Sequence, residues 1–504
     1  MVDLGLMPTA YMGVDHALVE SHRPAGEKCN IFPSMPLTLF DTMSRAQRKL
    51  QPLDGSTFRF YACGPTVYGP AHIGNFRTFV LQDLFRRVLE LGGTLTKHVR
   101  NLTDLDDKTI RASQEQGQTL TDFTRHWTQL FHADCAALHC LPPHLEPSAV
   151  AHIPQQVRMI GELLASGHAY PSPDGSVFFK ISAFPDYGRL SRVNERELKT
   201  SASVADDEYE KDTLADFALW KARKPEDGPN YWPAPWGEGR PGWHLECSAM
   251  IREYFGDTFD LHSGGVDLVF PHHENEIAQS ECCAASGSHG FAAHWFHITH
   301  LLVDGKKMSK SLGNLYTLAD LSTKGYSAEE VRYVLTAAHY RTQLNFTFDS
   351  LDGARQALTK LARAERALAV RAGYQAVPGY GDCSGLDPGP FAAAWTALNN
   401  DLNTAEALGH VFATLKSLKP ETITPQEALL AWQGFHLILA AFGISLPQEE
   451  KAEEAPEAVR LLAEARWAAR SGKNWSESDR LRGELEALGW AMKDGREDYS
   501  LTKK

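Results

Sequence analysis

The chain has 504 residues, 43% hydrophobic and 22% charged, a composition suited to three or four globular domains. No apolar run approaches the roughly 20 residues of a membrane span, and eight cysteines are too few for a disulfide scaffold, which favours a reducing, cytoplasmic compartment. The formal net charge of −13 excludes a protein that coats nucleic acid through bulk positive potential. It leaves open a partner gripped by a local Lys/Arg stripe.

Residues 1–34 mix Gly, Pro and polar residues without the apolar run of a signal peptide, and read as a disordered leader with no catalytic part. Residues 37–97 read as two strands and a helix. The β-prone run Phe58, Phe60, Tyr61 and Ala62 leads into Cys63, Gly64 and Pro65. A loop then ends in His72, Ile73, Gly74 and Asn75, and apolar residues follow at helical spacing (Phe79, Val80, Leu84, Val88, Leu91). Strand, glycine loop and helix present free backbone N–H groups to a phosphate. Residues 97–102 predict a second buried strand, ending in the polar run TDLDDK at 103–108. That run is either a site at the carboxyl end of a sheet or, for Asp104, Asp106 and Asp107, an acidic helix cap.

Residues 119–170 are mostly helical in pattern, 177–181 strand-like, and 193–212 a polar exposed loop. The span 121–227 reads as an insertion between two halves of a nucleotide-binding fold. The Pro-, Gly- and Trp-rich stretch 228–242 is a rigid loop feeding Trp243 to Met250 and a helix. A short strand at 258–262 is expected, with a glycine turn at 263–267. Phe270 and Pro271 open another helix, and 297–302 is a last strand before the sequence KMSKS at 307–311. Beyond about residue 327 the pattern is helical, at 331–339, 354–370, 391–418 and 428–442. An acidic linker at 447–457 precedes one long helix and a small tail in 458–504.

Cys63, Cys247, His272 and Glu276 form a candidate metal set. Each cysteine sits at the edge of a predicted element, and His272 and Glu276, four apart on one helix, share a face. Two thiolates, an imidazole and a carboxylate suit tetrahedral Zn²⁺. The same residues also fit a bland reading, as inert buried thiols and a solvated His/Glu pair. His273 is turned about 100° away around the helix and is the poorer ligand.

The motif HIGN with KMSKS far downstream resembles the signature pair of class I aminoacyl-tRNA synthetases, and Cys63 ahead of the first narrows this to the cysteinyl-tRNA synthetases. The likeness runs from about residue 37 to the end, weakest in the insertion and at 372–387. It implies an α/β fold with a Rossmann-like parallel-sheet catalytic domain split by an insertion. An α-helical bundle and a small C-terminal anticodon-binding domain follow. The divisions fall at 35–120 (first catalytic half), 121–227 (connective insertion), 228–316 (second half) and 317–353 (stem contact). The bundle is 354–446, the linker 447–457 and the last domain 458–504.

The resemblance implies that L-cysteine is activated with ATP and joined to tRNA-Cys by a monomer. One Zn²⁺ would rest on Cys63, Cys247, His272 and Glu276, with Mg²⁺ accompanying ATP. It assigns His72, Asn75, Lys307 and Lys310 to catalysis. Gly74, Gly264, Gly265 and Asp267 join His72, Asn75 and Lys310 in ATP binding, the last three glycine-loop residues lying near the ribose and substrate amino group. Thr103, Trp243 and His262 would line the cysteine pocket. Gly69 departs from the family, which commonly has Asp there. The insertion, about a hundred residues, is short for an editing domain. The segment 399–404 (NNDLNT) resembles an acidic run of the family's bundle. Trp467, Lys473, Trp475, Arg480 and Arg482 combine rings with positive charge, as unpaired anticodon bases require, or else form an ordinary amphipathic surface. A ligase joining cysteine to an amino-sugar would share the zinc pocket and both nucleotide motifs, but would have no use for the chain beyond about residue 354. A non-catalytic, zinc- and tRNA-binding relative would not need intact His72, Asn75, Lys307 and Lys310.

Overall fold

The computed structural model describes residues 36–193, 199–200, 213–214, 216–284, 290–374, 377–447, 455–495 and 498–503. The expected leader, almost all of the 193–212 loop and most of the acidic linker lie outside them. The chain opens with an antiparallel hairpin, β1 (Thr38–Asp41) and β2 (Ala46–Lys49), which makes three strands rather than two before the first helix. β3 (Thr57–Ala62), α1 (Ile73–Leu91) and β4 (Leu95–Arg100) form a parallel crossover. The HIGN motif is itself the cap of α1. Asn75 N–H donates to His72 Nδ1 (3.3 Å), and His72 N–H donates to Asn75 Oδ1 (3.1 Å), a reciprocal capping box.

α2 (Asp107–Glu115), α3 (Leu120–Ala137) and α4 (Ile153–Ala165) follow. Next come β5 (Ala169–Pro171), β6 (Val177–Phe179), a parallel pair β7 (Lys199–Thr200) and β8 (Thr213–Leu214), β9 (Phe217–Ala222) and β10 (Gly239–Pro241). β5, β6, β9 and β10 make an antiparallel sheet. Its edge strand β10 lies inside the predicted rigid loop, so the sheet of the insertion reaches Pro241. Gly239 and Gly242 permit this, because a Cβ would stand 2.1 Å from Lys221 O or Ala218 O.

α5 (Trp243–Phe255) leads to β11 (Leu261–Gly265), α6 (His272–Cys283) and β12 (Trp295–Ile298). The strand expected at 258–262 is shifted: Ser263, Gly264 and Gly265 pair with β12 and are strand, not turn. Side-chain-free glycine is needed there, since a Cβ on Gly264 would meet the His273 ring at 2.9 Å. The main sheet has the order β12-β11-β3-β4, all parallel. The strand predicted at 297–302 divides into β12 and β13 (Leu301–Val303). β13 pairs with β15 (Leu344–Phe346) and, through the positive-φ residues Asp304 and Gly305, with the short β14 (Lys306–Lys307). A two-residue turn of that kind suits a tight hairpin, and the KMSKS segment begins on the last residue of β14, Lys307.

α7 (Leu318–Thr323), α8 (Ala328–Thr336), α9 (Phe348–Ala372), α10 (Ala392–Asn399), α11 (Thr404–Ser417) and α12 (Pro425–Phe442) complete the helical part, with α9 and α12 ending at left-handed Gly373 and Gly443. The single long helix expected after 458 is two, α13 (Glu457–Ser471) and α14 (Trp475–Ala487). Lys473 adopts φ 57° and Asn474 caps the second helix by accepting from Glu477 N–H, so the chain reverses there. A hairpin of β16 (Trp490–Asp494) and β17 (Tyr499–Lys503) closes over a small core of Val459, Ala463, Leu485, Trp490 and Met492. Among the described residues, no helix is long and apolar enough to cross a membrane.

A buried charge network joins these parts. Asp83 on α1 pairs with Arg87 (2.7 Å) and with Arg332 of α8. Arg332 donates to Phe442 O at the end of α12 and to Leu138 O at the end of α3, both at 2.6 Å. Arg87 donates to Ala440 O (3.1 Å) and His139 O (2.6 Å). Asp83 and Arg332 are 3% and 1% exposed at the side chain, so removing one partner leaves buried charge and carbonyls unmatched. Arg332→Ala is expected to cost about 3 kcal/mol, read as a lowered midpoint in thermal or denaturant unfolding. An unchanged midpoint would show that the network does not hold these elements together.

Candidate active site and metal centre

In the parallel sheet the chain runs outward from β3 to β4 on one side, and from β11 to β12 on the other. The gap beyond the carboxyl ends of β3 and β11 is therefore a topological switch point, where open α/β sheets bind ligands. Cys63 follows β3 directly, and its N–H donates to Ser263 O on β11 (3.0 Å). Gly64 fits only as glycine: a Cβ would lie 1.7 Å from Asn101 O.

Ligand atoms of Cys63, His272, His273 and Glu276 lie within 4.8 Å of one another, all buried. Cys247, one turn into α5, is outside that set of four but lies near enough to Cys63 and His272 to be influenced by both. Three of the four expected ligands thus fall in one tight set, and the fourth, Cys247, stands beside it. His273 joins them as well: its Nε2 is 3.4 Å from Cys63 Sγ. Cys63 stands on the flank of α6 to which a 100° step carries the His273 ring, so that step takes the ring into the cluster and not away from it. The His273 Nδ1 is engaged 2.7 Å from His297 Nε2, and His297 Nδ1 lies 2.8 Å from Thr42 Oγ1.

The donor set fits a metal ion. Glu276 Oε1 is buried without a hydrogen-bond partner, although it stands 2.9 Å from His272 Nε2. A carboxylate oxygen and an imidazole nitrogen held this close in a buried site are donors that a cation can share. Glu276 Oε2 is held 2.8 Å from His262 Nε2, which orients the carboxylate. Burial opposes charge on Glu276, yet the neighbouring His262 and His272 hold it down to about 2. Burial likewise acts to raise the Cys247 thiol, but hydrogen bonds from Cys63 and His272 bring it down to about 6, while burial and Cys247 push Cys63 well up. Trp243 stacks on His272 with ring centroids 4.5 Å apart and planes at 19°. Trp243 and His262 thus flank the cluster. Thr103 is farther along the sheet edge, where its Oγ1 accepts from Asn101 Nδ2 (3.1 Å) and its carbonyl from Val67 N–H.

The HIGN and KMSKS segments meet at the start of α1, the helix that follows Cys63. Ile73 N–H donates to Tyr316 O (2.9 Å), and a Cβ on Gly74 would be 3.0 Å from Met308 Sδ. Met308 of the KMSKS segment therefore packs against Gly74 at the start of α1. Burial lowers the His72 pKa, which keeps the ring neutral. Gly265 lies against Asp267 and Thr78, and the Asp267 carboxylate is exposed, 3.9 Å from His300 Nδ1. Lys307 is exposed at the end of β14; Lys310 opens a 3-10 turn, and its side chain lies outside the described residues. Asn314 is a residue that sequence reasoning missed. It accepts from Ser309 N–H (2.9 Å) and donates to Lys307 O (3.2 Å), pinning the loop from within. A lone Asn three residues past the motif carried no periodic signal.

The acidic TDLDDK run is structural in the observed fold. Asp106 caps α2, Asp104 accepts from Ser148 Oγ and Val150 N–H, and Asp107 pairs with Lys221 and Arg240. Asp401 of the NNDLNT segment is also committed internally, accepting from Phe40 N–H and Tyr340 Oη. In the C-terminal unit Trp475 is 57% exposed with Arg470 over its ring, whereas Trp467 packs on Tyr499. Arg480 is paired with Glu477 and Glu484, and Arg482 stands 3.8 Å from Glu486. Lys473 is exposed. Gly69 has open space around it.

The family model described as tRNA synthetases class I (C) catalytic domain matches residues 49–356. The cysteine–tRNA ligase of Opitutus terrae is 54% identical over 478 residues, covering 93% of this chain and 99% of its own. That of Chlamydia muridarum is 43% identical over 485 residues, covering 93% and 100%. Among solved structures, Mycobacterium tuberculosis methionyl-tRNA synthetase in complex with methionyl-adenylate superposes with a TM-score of 0.54 at 13% identity, over 77% of this chain and 90% of that one. A leucyl-tRNA synthetase complex from Agrobacterium radiobacter K84 gives 0.55 at 11% identity, over 77% and 84%. The two solved structures establish the fold; the extent and identity of the sequence matches place the chain in the cysteine–tRNA ligase family of class I aminoacyl-tRNA synthetases.

Proposed function

We propose that the chain activates L-cysteine with ATP, giving cysteinyl-adenylate and pyrophosphate, and then transfers the cysteinyl group to the terminal ribose of tRNA-Cys. The observation that carries this reading is the buried set of Cys63, His272, His273 and Glu276, with Cys247 beside it, at the end of the strand that leads into the crossing of the HIGN and KMSKS segments. Zn²⁺ is the ion these donors suit. Cys63, Cys247, His272 and Glu276 would hold it, with His262 orienting Glu276. When bound, the ion supplies a soft site that holds a thiolate and is a poor match for a hydroxyl.

The chain's own residues do the remaining work. Trp243 and His262 bound the space next to the cluster, with Thr103 along the same edge, and exclude water from it. The free N–H groups at the start of α1 and the neutral His72 offer donors to the nucleotide, with Asn75 beside them. Gly74, Gly264 and Gly265 let it approach the backbone, and Asp267 faces the substrate amino group or ribose. Lys307 and Lys310, on a loop pinned by Asn314, balance charge on the phosphates as the substrate carboxylate attacks the α-phosphorus. Mg²⁺ accompanies ATP. The class implies first attack by the ribose 2′-hydroxyl. A site that rewards one heteroatom can discriminate by about 10⁴–10⁵, so serine needs no separate editing domain. The domain divisions expected from the sequence, a single-chain enzyme, a cytoplasmic setting and anticodon contacts from the C-terminal unit belong to the same reading. Exposed Trp475 and Lys473 are the residues of that unit best placed for such contacts. The helical bundle and C-terminal unit favour tRNA over an amino-sugar acceptor.

Charging of a tRNA-Cys transcript with cysteine tests the function, with cysteine-dependent ATP–pyrophosphate exchange as the first step. Exchange without charging would leave a small-acceptor ligase, and no exchange would defeat the enzyme assignment. Cys247→Ala is expected to lower bound zinc from about one per chain and to raise KM for cysteine at least tenfold more than KM for ATP. Unchanged zinc on elemental analysis would remove Cys247 from the ligand set. Lys310→Ala should slow pyrophosphate exchange by about 10²-fold, with little change in cysteine affinity; an unaltered rate would take Lys310 out of this role.

A further inference from the structure

Two thiols distant from the metal cluster have no part in the reaction above. α3 ends in a tight reversal: Cys140 N–H donates to Cys135 O (2.8 Å) and His139 N–H to Ala136 O (2.9 Å), with His139 left-handed at φ 56°. These are the 6→1 and 5→2 bonds of a Schellman turn, in which the side chains at the two ends of the longer bond touch. Apolar residues normally occupy that contact; here both are cysteines. Cys135 and Cys140 are 6% and 8% exposed, and their thiols hydrogen-bond to one another. A disulfide needs Cα atoms about 5.5 Å apart with the Cβ atoms facing, and backbones joined by a 6→1 bond with touching side chains meet that need without rearrangement. Each sulfur also has its own guanidinium: Arg100 Nη1 lies 3.9 Å from Cys135 Sγ, and Arg332 Nη1 lies 3.8 Å from Cys140 Sγ. The neighbouring Cys135, with Arg332 and Arg100, draws the Cys140 thiol down, whereas Cys140 and burial push Cys135 well up, so Cys140 is the sulfur poised as the reactive thiolate.

We propose that Cys135 and Cys140 are a redox-sensitive pair that closes into a disulfide across the end of α3 when the protein meets a hydroperoxide. One thiolate attacks the peroxide's outer oxygen, the O–O bond breaks, and an alcohol (or water) leaves with one proton. The sulfenic acid so formed is attacked by the second sulfur as it gives up its proton, the S–O bond breaks, and the hydroxide departs as water with that proton. Two sulfurs lose one electron each, and the peroxide takes up both. The pair sits where Arg332 and Arg87 grip the carbonyls of Leu138 and His139. Oxidation therefore fastens the turn to which α1, α8 and α12 are all tied.

The test uses the full-length enzyme, reduced and then exposed to hydrogen peroxide before denaturation, alkylation and trypsin digestion. Both thiols fall in one tryptic peptide, residues 126–158, with no other cysteine. The expected result is joint loss of both alkylation sites, with a mass lower by two hydrogens than the reduced peptide, reversed by dithiothreitol. In Cys140→Ser the two-hydrogen loss disappears and the remaining thiol gains oxygen instead. Full alkylation at both positions under conditions that oxidise Cys282 or Cys283 would overturn the proposal. So would oxidation of one of the pair without the other in the wild-type chain. Circular dichroism of Cys140→Ser, unchanged from the parent, confirms that the comparison is between folded proteins.

Discussion

Everything at the candidate site depends on one main-chain register: β3 and β11 lie parallel, and Cys63 N–H bonds to Ser263 O at their carboxyl ends. That register sets a thiol at the top of one strand against two glycines at the top of its neighbour. It opens the switch point where α6 can bring His272 and Glu276, and α5 can bring Cys247. The glycines are the permissive partners, since any Cβ on Gly64 or Gly264 would collide with Asn101 O or the His273 ring. A sheet with the same strands in another order would scatter these donors to different edges.

The cluster is fully buried, and that burial decides its chemistry. Four potential ligands away from water would each resist ionisation alone. Here a carboxylate between two imidazoles stays charged and one thiol is drawn down by its neighbours. A site that stabilises negative charge in this way suits a cation. The HIGN and KMSKS side is different in character: it is built from a helix start, glycine contacts and the exposed Lys307.

The parallel core was legible because apolar runs of five or six residues bounded by Gly and polar residues mark buried strands, as at Phe58, Phe60 and Tyr61. The pairing of His272 with Glu276 followed from helix geometry alone. That Cys63 and Cys247 share the same point did not: joining residues almost two hundred positions apart needs strand order, which local spacing does not carry, and only the family resemblance suggested it. Gly264 and Gly265 were read as a turn because glycine usually punctuates. In the fold they are strand, where close approach of His273 requires them. The two-helix C-terminal unit was hidden by continuous helical periodicity, which Lys473 interrupts only through its backbone. The acidic run at 103–108 read equally as a site or as a helix cap; Asp106 is the cap, and the ion-pair partners of Asp107, Lys221 and Arg240, are more than a hundred residues away. His273 was set aside on angular grounds that hold for one helix but not for a cluster fed from a strand as well.

The central claim is that this buried cluster holds a soft cation that recognises the sulfur of the substrate. X-ray absorption at the zinc edge of the zinc-loaded enzyme tests it most directly. The account predicts two sulfur neighbours at about 2.3 Å in the enzyme alone, three when cysteine is added, and still two with serine. A sulfur count that does not change on adding cysteine would contradict it.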